Sequence, residues 1–251
     1  MGSVGVRAAL ARCAPLLATV LLGSLVLAAC GGGKTAAGGG ACAAGQAGSA
    51  TNIAVPQEPA SGVAKISGAC WAKIAPTPVS NVLEGVGKSA IPGGTPPSVQ
   101  VAWNPQNLYV RCNVAAWPLY AAAGSKTWWQ NDTCEFFVSG ADGHGGAYGP
   151  TDTQVGITYN GAVSPGAHKL AHISAMTGLA QVNKGKGYTT ELIVPWAQLG
   201  VSKPAKGQQY EFDLGVDYGS ASGQYVAYAD LHGSTNHPCC STTGWSQITL
   251  G

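Results

Sequence analysis

The chain has 251 residues and a formal net charge of +2, and only 10% of its residues are charged. A surface so sparsely charged carries no electrostatic footprint for nucleic acid or any other polyanion, so neutral polar partners fit better. The length suits one domain of ordinary size with a real hydrophobic core.

Residues 1–29 read as a secretion signal. Arg7 and Arg12 give a positive start, and "APLLATVLLGSLVLAA" gives an apolar run too short for a comfortable membrane span. The run ends at Leu27-Ala28-Ala29-Cys30, which resembles a bacterial lipoprotein signal cleaved before Cys30, with lipid on the cysteine thiol. That resemblance implies export and a lipid anchor in a bacterial membrane, with the protein facing the periplasm or the cell exterior and not spanning the bilayer. Residues 30–61 are nearly all Gly, Ala and small polar residues, with no acid before Glu58, and are expected to form a flexible tether. The folded domain is then 62–251. Without Arg7 and Arg12 the formal charge falls to zero.

From residue 98 onward strand signals dominate. "SVQVAW" and "NLYVRCNV" alternate apolar and polar residues across the turn "NPQN" and read as a hairpin. "TCEFFV", "TQVGITY", "YTTELIVPW", "YEFDLGVDY", "QYVAYA" and "WSQITL" follow, separated by Gly, Pro, Ser and Asn clusters. No amphipathic helix is evident beyond a turn at "PWAQLG". The pattern predicts an all-β fold, an antiparallel β-sandwich of jelly-roll type, as a single domain behind the tether.

Alternation assigns faces. Leu108, Val110, Cys112 and Val114 share one face of their strand, and Cys134, Phe136 and Val138 share one face of theirs, so both cysteines point inward. Six cysteines follow Cys30, an even number that points to disulfides in an exported protein. A Cys112–Cys134 bridge is expected if the two strands are neighbours. Cys239 and Cys240 are expected to staple the last loop to Cys70 and Cys42 rather than to each other. The same parity puts Glu135 and Phe137 opposite the core, which leaves Glu135 free to meet a ligand.

"WWQNDTCEFF", residues 128–137, sets two indoles beside polar groups at the head of a strand. Sugar rings present C–H faces that stack on indole, while their hydroxyls need directed acceptors such as carboxylates and amides. With "ISGACWAKIAP", "VQVAWNPQNLYVRCNV", "GYTTELIVPWAQLGV", "YEFDLGVDYG" and the terminal "GWSQITL", in that order, the chain resembles a family 9 carbohydrate-binding module over residues 63–251. The resemblance implies non-catalytic carbohydrate binding at the cell surface, of oligo- or polysaccharide, in support of polysaccharide breakdown. It carries a stacking role to Trp129 and a hydroxyl-binding role to Glu135, with Trp128 as substitute platform; Asp132 reads as a turn cap. It allows a structural calcium, for which no Asp-rich loop supplies ligands.

Two departures stand out. The family's second stacking tryptophan is missing from "ADLHGSTNHPCCSTTG", leaving Tyr228 or His237 as replacements, and its arginine is missing from "TQVGITY", leaving Gln154 as the nearest polar side chain. Trp71, Trp103, Trp196 and Trp245 fall in framework segments, and Trp117 lies in a loop. Three other readings compete. A glycoside hydrolase needs two carboxylates flanking a cleft, and Glu135 with Asp132, the only close pair, would lie on opposite faces of one strand. A haem-binding redox sandwich would use Met176 with His168 or His172. The third is a structural or interaction lipoprotein with a decayed sugar site.

Overall fold

The computed structural model describes residues 41–45, 49–84, 91–121, 127–140, 146–166, 173–232 and 238–251. The chain divides into two units, Met1–Gly38 and Gly39–Gly251, and every described residue belongs to the second. Its strands, in chain order, are β1 (Asn52–Val55), β2 (Thr77–Pro78), β3 (Asn81–Glu84), β4 (Ser98–Trp103), β5 (Asn107–Val114), β6 (Thr133–Val138) and β7 (Thr153–Thr158). They continue as β8 (Val163–Pro165), β9 (Thr177–Asn183), β10 (Gly187–Pro195), β11 (Gln209–Tyr218), β12 (Ala227–Asp230) and β13 (Ser246–Leu250). Among the described residues helix is confined to segments of five residues or fewer, among them α1 (Ala60–Val63) and the 3-10 turn Trp196–Leu199, which is the turn expected at "PWAQLG".

Two sheets form the sandwich. The smaller runs β2-β4-β5-β10-β9, and all its pairs are antiparallel. In the larger, β6 and β13 pair antiparallel with β11; β7 and β8 extend the β6 edge, and β1 runs parallel to β13. β11 is long enough to take β13 along its first half and β12 along its second, on the same edge, and β3 then pairs with β12. Alternation drives this arrangement. Val99, Val101, Leu108 and Val110 of one sheet face Phe136, Val138, Phe212 and Leu214 of the other, all fully buried. Each such side chain contributes about 1.5–3 kcal/mol on leaving water.

Three expectations change. Cys112 and Cys134 are disulfide-bonded, with Cα atoms 6.6 Å apart, yet β5 and β6 are not neighbours: they lie in opposite sheets, so the bridge crosses the core. The inward faces, not adjacency, bring the two sulfurs together. Cys42 bonds to Cys70 and neither reaches residues 239–240. Cys239 is disulfide-bonded, and the side chain of Cys240 lies outside the described residues. The tether also ends earlier than residue 61. Ile53 and Val55 of β1 bury themselves in the core once β13 supplies the backbone partners that a Gly/Ala-rich segment lacks by itself. Residues 1–40, with Cys30, lie outside the described residues.

The outward face of the smaller sheet is covered by the chain that follows β1. Trp71 packs there with Val63, Ile74, Ala102 and Tyr109, its indole nitrogen donating to the carbonyl of Val63 at 3.1 Å. Arg111 lies 5.6 Å over that indole and stands opposite Glu191 in the β5–β10 register. Burial pushes the Glu191 carboxyl up to about 8, against the pull of Arg111. The two groups attract each other without a hydrogen bond between them, since both Glu191 oxygens lack a hydrogen-bond partner among the described residues. Arg111→Met is expected to lower unfolding free energy by about 1 kcal/mol near pH 8, and by less near pH 6, where Glu191 holds a proton, as read by denaturant titration.

Candidate functional site

The outward face of the larger sheet is polar, and its register lays out three rows. One runs Gln154, Phe137, Asp213; the next runs Ser164, Gly156, Glu135, Gly215, Asp230, Asn81; the third runs Thr158, Thr133, Asp217, Tyr228. The strand pleat sends these side chains to the side opposite the core.

The middle row carries glycine on both sides of Glu135. The Trp128 indole lies over Gly156 and the Tyr228 phenol over Gly215; a Cβ at either glycine would run into the ring above it. Glycine inside a strand serves such close approach. Trp128 opens the 3-10 turn Trp128–Gln130, its ring nitrogen donating to the Pro165 carbonyl at 3.0 Å and its carbonyl accepting from the Thr133 hydroxyl at 2.8 Å. Trp129 follows, edge-on to Trp128 with ring centroids 5.5 Å apart, and 44% of it is exposed. Of the two indoles, then, Trp128 is the packing group and Trp129 is open to solvent.

Asp132 is a loop organiser. One of its oxygens accepts from the Tyr120 backbone and the other from the Gly219 backbone at 3.3 Å, while its own N–H donates to the Tyr120 carbonyl at 2.9 Å. Burial pushes its carboxyl up to about 6 against those bonds. The loop held in this way carries Trp117, also 44% exposed.

Glu135, expected on an open face, is only 2% exposed, and Phe137 is fully buried. The covering groups come from distant segments. Tyr148 and Trp245 stack edge-to-face at 5.4 Å, Trp245 lies 5.6 Å from Phe137, and both donate to the Pro238 carbonyl. Gln154 donates to a Glu135 oxygen at 3.4 Å. Tyr228, expected as a stacking substitute, is buried with its ring on Gly215 and offers no open face. His237, His168 and His172 lie outside the described residues, and Met176 packs in the core.

Sequence reasoning missed three acids on this face: Asp213, Asp217 and Asp230. Two of them were within reach, because Asp213, Gly215 and Asp217 alternate along "YEFDLGVDY" on the parity opposite Phe212, Leu214 and Val216. All three are at least nine-tenths buried, and with Glu135 they surround Tyr228, whose hydroxyl is driven well above its ordinary range by burial and then by the four carboxylates. Asp213 accepts from the backbone of Leu214 at 2.7 Å and Leu231 at 3.3 Å; Asp230 accepts from the Asn81 amide at 2.6 Å. The His232 backbone is a third donor that favours the Asp213 carboxylate, and the second oxygen of Asp230 has no hydrogen-bond partner among the described residues. Burial raises Glu135, Asp213 and Asp230, the last to about 7, against hydrogen bonds from Asp217 and Gln154 at Glu135 and from Asn81 at Asp230. No Lys, Arg or His stands in the three rows.

Calcium takes oxygen ligands from carboxylates, amides and backbone carbonyls. The one group of three donors that converges among the described residues is Cys42, Glu58 and Cys70, and both its sulfurs are joined in a disulfide.

A family model described as carbohydrate family 9 binding domain-like matches residues 64–250. A family 9 carbohydrate-binding module from Caldicellulosiruptor kristjanssonii, in complex with cellotriose, is similar in structure with a TM-score of 0.65 at 17% identity, over 79% of this chain and 93% of that one. A module from the same organism in complex with glucose gives 0.66 at 18% identity, over 80% and 95%. No curated protein matches the chain.

A carboxyl raised on folding holds its proton longer in the native state, so its contribution is complete below the unfolded value and lost as pH rises through the folded one. For Asp230 that window runs from 3.8 to about 7. The melting temperature is expected to fall between about pH 4 and pH 7, and Asp230→Asn to flatten that fall in calorimetry.

Proposed function

Because the chain belongs to the carbohydrate family 9 binding domain-like family, we propose that it is a non-catalytic module that takes up oligo- or polysaccharide at the head of its polar outer face. The observation that carries this reading is the Trp129 indole, 44% exposed beside a face of acids and amides. A sugar ring stacked on it buries apolar C–H surface, while Glu135 and Gln154 exchange their mutual 3.4 Å contact for bonds to hydroxyls. Trp117, on the loop tied to Asp132, is a second indole available to a longer chain. The cellotriose and glucose complexes of the two similar modules make glucose oligomers the first ligands to try.

The wider setting is part of the same proposal. The protein is exported, acylated at Cys30, and held at a bacterial membrane surface, where it keeps polysaccharide near enzymes that degrade it. Support comes from the residues around Leu27-Ala28-Ala29-Cys30 and the small-residue run after them.

Trp129→Ala is expected to weaken cellotriose binding about thirtyfold in isothermal titration, with an unchanged melting temperature because the ring is half exposed. Full affinity in that variant would remove Trp129 from the site. Cys30→Ser in the full chain is expected to move the protein from the detergent phase to the aqueous phase in a partition assay.

A further inference from the structure

Two disulfides have both partners among the described residues, and they meet solvent differently. Cys112 and Cys134 are both fully buried in the core between the sheets, so a reductant reaches neither sulfur unless the sandwich opens. Cys42–Cys70 lies on the flank of the domain, in the cluster that covers the smaller sheet. Cys70 is fully buried in the 3-10 turn Ala69–Lys73, and α1 closes over its sulfur at Gly62, where a Cβ would run into it. Cys42 is partly exposed. Of these four sulfurs, it is the one that a reagent in solution can attack.

A carboxyl completes the group. Glu58, 2% exposed, has an oxygen within 4.8 Å of both the Cys42 and the Cys70 sulfur. The backbone fixes its place, because its N–H donates to the Trp103 carbonyl at the end of β4 at 2.8 Å. Burial raises this carboxyl, against the Ala43 backbone N–H and the charge of Lys73. A proton donor matters here because opening the bridge from the Cys42 side leaves negative charge on Cys70. That sulfur sits among Val63, Trp71, Ile74, Ala102 and Tyr109, and apolar surroundings disfavour a thiolate. A carboxylic acid that reaches it directly or through one water removes the charge as it forms.

We propose that Cys42–Cys70 is a site of reversible thiol–disulfide exchange with an external dithiol, and that the Glu58 carboxyl gives a proton to the Cys70 sulfur as it leaves. A thiolate of the dithiol bonds to Cys42 Sγ, and the Cys42–Cys70 bond breaks with its electron pair going to Cys70, which takes the Glu58 proton. The second thiol of the reagent then attacks the mixed disulfide, which closes the reagent's own disulfide and releases Cys42. Of the two protons that the dithiol gives up, one restores Glu58 and the other goes to Cys42. Two electrons pass to the protein. Opening leaves the chain at Cys42 tied to this flank through the Gly45 N–H on the Lys73 carbonyl at 3.2 Å. The exchange site lies on the smaller sheet, away from the polar face of the larger one, and does not rest on the sugar-binding reading.

The test is reduction of the full chain by dithiothreitol at about pH 6, with samples alkylated over time and the cysteine peptides followed by mass spectrometry. Cys42–Cys70 is expected to open more than about tenfold faster than Cys112–Cys134. Glu58→Gln is expected to slow that opening about tenfold, and the difference is expected to narrow as pH rises and Glu58 loses its proton in the unaltered chain. A carboxyl that only packs, or that repels the incoming thiolate, gives the opposite sign: its replacement leaves the rate unchanged or raises it, and either result overturns the role of Glu58. Opening of Cys112–Cys134 first, or of both bridges together, overturns the exchange site itself. If the variant does not fold, the unaltered chain still decides. Its opening rate, divided by the thiolate fraction of the reagent, is expected to fall as pH rises from about 5 to about 8, and a flat profile overturns the proton transfer.

Discussion

Two rings lying flat on two glycines hold the outer face together. Gly156 and Gly215 flank Glu135 in one cross-strand row, and only the missing Cβ at each lets Trp128 and Tyr228 come down onto the sheet. Everything polar in the region is arranged around that contact. With Trp128 fixed on Gly156 and tied to Pro165, the next residue of the turn has its ring turned out to solvent. With Tyr228 fixed on Gly215, four carboxyls are drawn round a phenol rather than pointing into water. An alanine at either glycine would collide with the ring above it, and overpacking of this kind typically costs about 1–3 kcal/mol.

The frame behind this face is the sandwich, and β11 is its organising strand. Its inward residues Phe212, Leu214 and Val216 fill the core, while its outward residues Asp213, Gly215 and Asp217 supply the middle of the polar rows. One strand therefore couples packing to the site: a register slip of one residue would send acids into the core and phenylalanine and leucine to the surface. The Cys112–Cys134 bridge acts from the opposite side of β6, tying the core face of that strand to the other sheet. Glu135, the residue after Cys134, is held by a strand pinned from behind.

How much of this could be read from the chain itself depends on what covers what. Strands with alternating patterns declared themselves, because the period-two signal is local; the β4–β5 hairpin, β6, β7, β10, β11 and β13 all fall where alternation places them. Membership in the two sheets was not readable, since nothing near Cys112 or Cys134 says that their strands face each other across a core. β1 was invisible for a related reason: "NIAV" has no strand signal strong enough to outweigh its Gly/Ala-rich surroundings, and it is a strand because β13 is there to pair with it. The outer face shows the same limit. Parity correctly sends Glu135 away from the core, but its burial is decided by Trp128, Tyr148, Tyr228 and Trp245, which are close in space and far apart in sequence. Asp213 and Asp217 were legible by parity alone, and Tyr228's place over Gly215 was not.

The two outward faces both carry buried acid, and on each of them burial raises the carboxyl. On the smaller sheet Glu191 has Arg111 directly across the register, and Trp71 closes over the pair with its own hydrogen bonds satisfied by Val63 and Lys65. Even so, both Glu191 oxygens are buried without a hydrogen-bond partner among the described residues. On the larger sheet the acids have amides, backbone N–H groups and one another, and the rows supply no opposite charge. Burial raises Glu135, Asp213 and Asp230, so at mildly acidic pH a proton on each carboxyl relieves the cost of burying its charge.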